Sequence, residues 1–214
     1  TGKIAKQAHG SVVVQQGDTV VLVAAVYSPT PSEKAGEMVL LTVDYRERGY
    51  ASGMIFGGRF RKREGAPSEK EILTMRLIDR PIRPLWPAGY TRDVLIQALV
   101  LSAEPDVDPD VVAMIAASAA LSVSRLPFQG PLGAVRIGRR DDKLILNPGK
   151  EDTEKGSLEL VIAGTKSAVL MVEAEANELP EDEMLRAIQM GHDAVKEIVA
   201  MIEELAQKAG VQKD

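Results

Sequence analysis

Arg59, Phe60, Arg61, Lys62 and Arg63 place four cations around one aromatic ring, the densest such grouping in a chain of 214 residues. Cations follow a phosphate backbone, and an aromatic face stacks a base at about 1–3 kcal/mol without choosing its identity. The run therefore suits a single-stranded nucleic acid. A solvated Gly/Arg loop has the same composition, and both readings stand at this level. Arg76, Arg80 and Arg83 recur at helical spacing; they face a phosphate or a polyanionic strand, or pair with Asp79 or Glu71 inside the chain. Arg46 and Arg48 share one side of an extended segment, for an ion pair or RNA contact. Glu173 and Glu175 alternate on one strand face, as solvated acids or as ligands for magnesium.

Other chemistry is excluded by what is missing. The chain has no cysteine, so disulfides, thiol catalysis and cysteine-ligated metals are out. Its two histidines, His9 and His192, are far apart in sequence, match no metal motif and are read as structural. A net charge of −5 argues against a protein that coats nucleic acid over its whole surface. Arg59 to Arg92 nevertheless hold nine basic against four acidic residues, a local +5, which leaves −10 for the remainder. One anion-binding face on an acidic body is expected. Apolar runs such as Met38 to Val43 are too short to span a bilayer, and the N-terminus has no signal-peptide pattern, so an intracellular protein is expected.

The elements that must position these residues follow from periodicity. Ser11–Gln15 and Thr19–Tyr27 flank Gly17-Asp18 as a hairpin, and Met38–Asp44 is a further strand. Gly49 to Gly65 is an open, glycine-rich loop. Ser68 begins a capping box with Glu71 and opens a helix that Pro81 ends or kinks. Val94–Leu101 reads as a strand covered on both faces. Asp108 as N-cap and Pro109 in the first turn introduce an alanine-rich helix, Asp110–Ser122, packed closely on that sheet. Two more hairpins follow, Ala134–Gly138 with Lys143–Leu146 and Leu158–Ala163 with Ala168–Glu173. A long helix from Pro180 stops before Gly210. The order gives one α+β domain, with mixed sheets packed against three main helices.

Several stretches carry a resemblance: Gln7-Ala8-His9-Gly10-Ser11-Val12, Val43-Asp44-Tyr45-Arg46-Glu47-Arg48, Arg63-Glu64-Gly65-Ala66-Pro67-Ser68-Glu69 and, above all, Arg76-Leu77-Ile78-Asp79-Arg80-Pro81-Ile82-Arg83-Pro84-Leu85. With them the chain resembles the first RNase PH-like domain of bacterial polynucleotide phosphorylases. The resemblance implies an RNase PH-like β-α-β-α fold over residues 1–210, short of residues before Thr1 that complete the first strands. Residues 211–214 would then open a linker to a helical domain. It also implies a cytoplasmic, trimeric enzyme of mRNA degradation that uses inorganic phosphate and magnesium to release nucleoside diphosphates from RNA 3′ ends.

For the sites, the resemblance makes Arg59, Phe60, Arg61, Lys62 and Arg63 the RNA-gripping loop, with one aromatic where the family pattern has two. Where catalytic relatives carry a glycine-rich phosphate loop, this chain has Ala103-Glu104-Pro105-Asp106-Val107-Asp108-Pro109-Asp110, whose acids repel phosphate. Where they place a metal-binding aspartate, it has Ser157-Leu158-Glu159. This half is thus expected to lack a phosphorolytic site of its own, with no catalytic residue and no bound metal. Two alternatives are a self-sufficient RNase PH-type exoribonuclease and a purely structural assembly module.

Overall fold

A computed structural model describes residues 1–33, 36, 38–55 and 65–213. The basic run at 59–63 lies outside the described residues. Strands β1 (Gly10–Gln16) and β2 (Thr19–Tyr27) form the expected antiparallel hairpin. β3 (Leu41–Glu47) follows, then a 3-10 turn over Gly49–Ser52, α1 (Glu69–Ile82) and β4 (Val94–Ser102). The first sheet runs in the order β1-β2-β4-β3, with β3 parallel to β4 and the other pairs antiparallel. After α2 (Pro109–Ser122) come β5 (Gly133–Arg140), β6 (Lys143–Leu146), a short α3 (Lys150–Glu154), β7 (Leu158–Gly164) and β8 (Val169–Ala176). These four strands make an antiparallel sheet ordered β6-β5-β7-β8, and α4 (Glu181–Ala209) closes the fold. The architecture is α+β with one mixed sheet, as the element order implied.

α2 is the centre of the packing, and all fourteen of its residues are buried. It lies on β1 and β2 of the first sheet and on β5 of the second. Its alanines permit this: a helix this short of side-chain volume brings both sheets close on opposite sides. The approach is tightest at Gly10, where any Cβ would strike the carbonyl oxygen of Ala120. The second sheet is apolar on both faces. Ala134, Val161 and Ala163 join the core around α2, while Val135, Ile137, Leu160 and Ile162 pack against Val195 and Val199 of α4.

Two local readings need correction, and two details of the helices are added. β4 is not covered on both faces: Val94, Ile96, Ala98 and Val100 are buried, but Leu95 and Gln97 between them are exposed, because the helices cover one side of the first sheet only. Pro81 is the penultimate residue of α1, which gives way after Ile82 to a 3-10 turn over Arg83–Leu85. Asp108 does occupy the N-cap position of α2, yet its carboxylate caps nothing; it is drawn to Lys70 and Arg136 instead. α3 was not expected, since five residues are too few for a legible period.

The capping box at the start of α1 is as read. Ser68 Oγ accepts from the Glu71 amide at 3.2 Å and Glu71 returns the contact to the Ser68 amide at 2.6 Å. Glu71 also accepts the Glu47 amide at 3.0 Å, tying α1 to β3. Burial pushes its carboxyl up, but the amides of Ser68 and Glu47 outweigh that and hold it below the usual carboxylate value. Ser68→Ala is expected to cost about 1 kcal/mol in urea unfolding; an unchanged midpoint would show that the tie to β3 suffices.

At the far end, the Lys213 ammonium donates to the carbonyls of Leu121 and Ser124, at 2.7 and 2.9 Å, at the C-terminal end of α2. A cation there complements the helix dipole. Partial burial pulls the amine down to about 8.

Candidate functional site

A cleft of about 480 Å³ opens where β3 ends, between the start of α1, the segment leading into α2, and the second sheet. Topology builds it. The parallel pairing sets Glu47 beside Val100, so the end of β3 stands next to the chain that leaves β4 for α2. Arg136, two residues after buried Ala134 on β5, shares its α2-facing side and meets the first turn of α2.

At the floor of the cleft the charges pair off. The Arg136 guanidinium donates to Asp110 at 2.5 Å and to Glu159, and lies 3.5 Å from Asp108. Lys70 spans Glu47 at 3.1 Å and Asp108 at 3.2 Å. Tyr45, fully buried, donates its hydroxyl to Glu47 at 2.8 Å, and burial with the Glu47 charge drives the phenol far above its ordinary value. Burial pushes Asp110 up, Arg136 pulls it down and the Asp108 charge pushes it up again; the net direction is up. For Lys70 burial works against the charged form, but Asp108 and Glu47 prevail and the amine is raised, so it stays an ammonium.

Four carboxylates therefore surround two cations, and both cations are already shared between acids. Arg48 and Lys150 also line the cleft, against the further acids Glu104, Asp106 and Glu154, so acids outnumber bases along its wall. The cleft does not fit magnesium either. Asp108, Asp110 and Glu159 converge on Arg136, so the guanidinium occupies the point where a divalent ion would need to sit. Among the described residues no group of three or more acidic or histidine side chains is disposed to hold a metal.

Of the residues singled out in the sequence, Arg59, Phe60, Arg61, Lys62 and Arg63 lie outside the described residues. Arg83 is spent within the fold: it pairs with Asp79 at 2.6 Å and donates to the carbonyls of Val39 and Leu41. Arg80 reaches across to Glu173 on β8 at 3.0 Å, both ends in solvent. Arg76 is exposed one turn before Arg80 on α1. Arg46 pairs with Asp44 at 3.1 Å, and exposed Glu175 stands two residues beyond Glu173. His9 accepts the Tyr27 amide through Nδ1 and stacks on the Tyr27 ring at 3.9 Å; His192 Nε2 lies 3.1 Å from the Thr165 carbonyl. Glu104, counted among the repelling acids, holds the first hairpin by accepting the Asp18 amide at 2.8 Å.

Arg136 was missed. Its signal was present: it is the one charged residue within Ala134-Val135-Arg136-Ile137-Gly138, and a lone charge in an apolar strand needs a buried partner.

Among the described residues no helix is long and apolar enough to cross a membrane. Two family models match in succession, domain 1 of the 3′ exoribonuclease family over residues 1–127 and domain 2 over residues 130–194. A polyribonucleotide nucleotidyltransferase of Heliobacterium modesticaldum is 55% identical over 213 residues, which is 100% of this chain and 30% of that protein. The enzyme of the same name from Geotalea daltonii is 52% identical with the same coverage. The chain thus spans about a third of the length of the curated relatives it matches. In fold it is similar to rice (Oryza sativa) Rrp46, with a TM-score of 0.75 at 19% identity over 94% of this chain and 89% of that one. It is also similar to a chain of the Archaeoglobus fulgidus exosome with RNA bound to the active site, with a TM-score of 0.73 at 20% identity over 92% and 84%. With two sheets around a small-residue helix and both family models matched end to end, this chain belongs to the RNase PH family of 3′ exoribonucleases.

Proposed function

We propose that the chain is the RNA-binding, ring-forming first core domain, over residues 1–210, of a phosphate-dependent 3′-to-5′ exoribonuclease that acts in cytoplasmic mRNA degradation. Residues 211–214 lead toward the rest of that protein. Arg59, Phe60, Arg61, Lys62 and Arg63 grip single-stranded RNA, and exposed Arg76 and Arg80 add contacts to RNA or phosphate. Magnesium and inorganic phosphate act elsewhere in a homotrimer, because this half has no phosphorolytic site of its own.

Support comes from the family, from relatives named for nucleotidyl transfer, and from the uneven charge of the chain. The division between grip and cleavage is carried by one observation: Lys70 and Arg136, the cations at the floor of the cleft, are each already bonded to at least two carboxylates. A phosphate that engages Arg136 must compete with Asp110, which is nearly buried and would be left unpaired.

The test is direct. Purified chain incubated with RNA, inorganic phosphate and magnesium is expected to release no nucleoside diphosphate, while still shifting the RNA in a binding assay. Sustained release at a rate expected of a phosphorylase would instead support a self-sufficient enzyme.

A further inference from the structure

β8 is an outer strand of the second sheet, paired on one side with β7 and on the other with no strand among the described residues. The two ends of the β7–β8 ladder fix which backbone groups the free side presents. At one end the Thr165 amide donates to the Ala168 carbonyl at 2.9 Å, and at the other the Asn177 amide donates to the Ser157 carbonyl at 3.0 Å. Bonding alternates along an antiparallel ladder, so Met171, Glu173 and Glu175, opposite Ala163, Val161 and Glu159, turn their amides and carbonyls toward β7. Val172, Ala174 and Ala176 turn theirs outward.

Those outward groups are open to pairing. All three residues are exposed and two are alanines, so no bulky side chain fences the edge. Common guards are missing as well: Val169–Ala176 holds no proline and no lysine. Charge decides what can pair there. Glu173 and Glu175 are the only charges of the strand and share the face opposite to Val172 and Ala174, where they line a groove of about 570 Å³ together with Glu69, Leu73 and Leu77. Arg80 reaches Glu173, but both side chains are more than half in solvent, so that pair contributes little and yields easily.

A second copy of the same edge would set Glu173 and Glu175 against their own kind, which is unfavourable across a strand pair. A strand with lysine or arginine at alternate positions reverses the sign. Its basic side chains lie over Glu173, Glu175 and Glu69, and its small apolar ones beside Val172 and Ala174. α4 begins just past β8 and, with 29 residues, carries the chain about 40 Å from that start, which favours a separate polypeptide as the occupant.

We propose that β8 is a docking edge for an extended segment of a partner protein in which basic and small apolar residues alternate, bound by strand addition. The segment pairs with the outward amides and carbonyls of Val172, Ala174 and Ala176. RNA binding has no part in it.

The test titrates this chain with a short peptide of alternating valine and lysine, a peptide of the same composition with its lysines in one block, and a peptide of alternating valine and glutamate. The alternating basic peptide is expected to bind roughly tenfold more tightly than the block peptide. It should slow amide hydrogen exchange at Val172, Ala174 and Ala176, while Glu173 and Glu175, already bonded to β7, change little. Ala174→Pro removes an outward amide without breaking the β7 ladder, so it keeps the wild-type urea midpoint and loses the peptide. Glu173→Lys combined with Glu175→Lys moves the preference to the glutamate peptide. Should Ala174→Pro unfold, the charge-reversed variant and the exchange pattern still decide. Absent binding, equal binding of the alternating and block peptides, unchanged exchange at Val172, Ala174 and Ala176 in the bound state, or undiminished binding by a folded Ala174→Pro overturns the proposal. So does protection of the same amides when the chain alone is concentrated, since a second copy then takes the edge.

Discussion

Arg136→Met is expected to destabilise the fold by about 3–5 kcal/mol at neutral pH, because it leaves the Asp110 carboxylate buried without its cation. The side chains are only 11% and 10% exposed, so water cannot take over the lost contact. Against a total stability of about 5–15 kcal/mol for an ordinary domain, this is a large share. The loss should depend on pH, with a definite sign. Asp110 is raised above its unfolded value in the wild type, and removing Arg136 takes away the cation that pulls it down. Between the usual carboxylate value and the raised one, the folded chain holds a proton that the unfolded chain has released, so stability falls as pH rises through that window. The Arg136→Met deficit should therefore shrink on acidification. Adding Asp110→Asn should recover part of the loss at neutral pH, since a neutral amide is cheaper to bury than a carboxylate. Urea unfolding of the wild type and the two variants at two pH values measures all of this. A single Arg136→Met variant within about 1 kcal/mol of wild type at neutral pH would mean that the cluster is solvated and carries little energy.

Replacing Arg61, Lys62 and Arg63 together with alanine is expected to cut RNA affinity roughly a hundredfold at 0.1 M salt. Each phosphate contact on a single strand contributes about 0.7 to the salt slope, so three lost contacts flatten it by about 2. Over the decade from 1 M, where screening removes most of the attraction, to 0.1 M, that difference amounts to about two powers of ten. A charge-matched control removes three lysines that are engaged elsewhere on the surface, Lys155, Lys196 and Lys208, each paired within its own helix region. The control should leave the slope as it was. Fluorescence anisotropy against salt concentration reads both variants, and an unchanged slope in the 61–63 variant would favour a purely structural module.

The hairpins, the capping box and the long last helix were legible because each is a local matter. The Val- and Leu-rich run Thr19–Tyr27 beside the Gly17-Asp18 turn, the Ser68 and Glu71 spacing, and the periodic apolar positions from Met184 to Leu205 need only near neighbours to be recognised. The burial of β4 was not legible, since an apolar run such as Val94–Leu101 has the same pattern whether one face or two are covered. The partner of Asp108 was equally hidden. Its position before Pro109 suits a helix cap, and only the proximity of Lys70 and Arg136 gives the carboxylate a better acceptor role. Arg83 shows the reverse case: its spacing from Asp79 proposed a pair within one helix turn, and the pair is there.

By itself the amino-acid order determined the main strands and helices, the α+β class, the absence of thiol chemistry and the placing of positive charge between Arg59 and Arg92. Tertiary structure alone decided which acids meet which cations. Glu47, Lys70, Asp108, Asp110, Arg136 and Glu159 come from five separate elements or their ends, and local periodicity holds no record of which faces will touch. Two sheets closing on the small residues of α2 bring them together, and the nearly full burial of Arg136 and Asp110 makes that pair the tightest of the set.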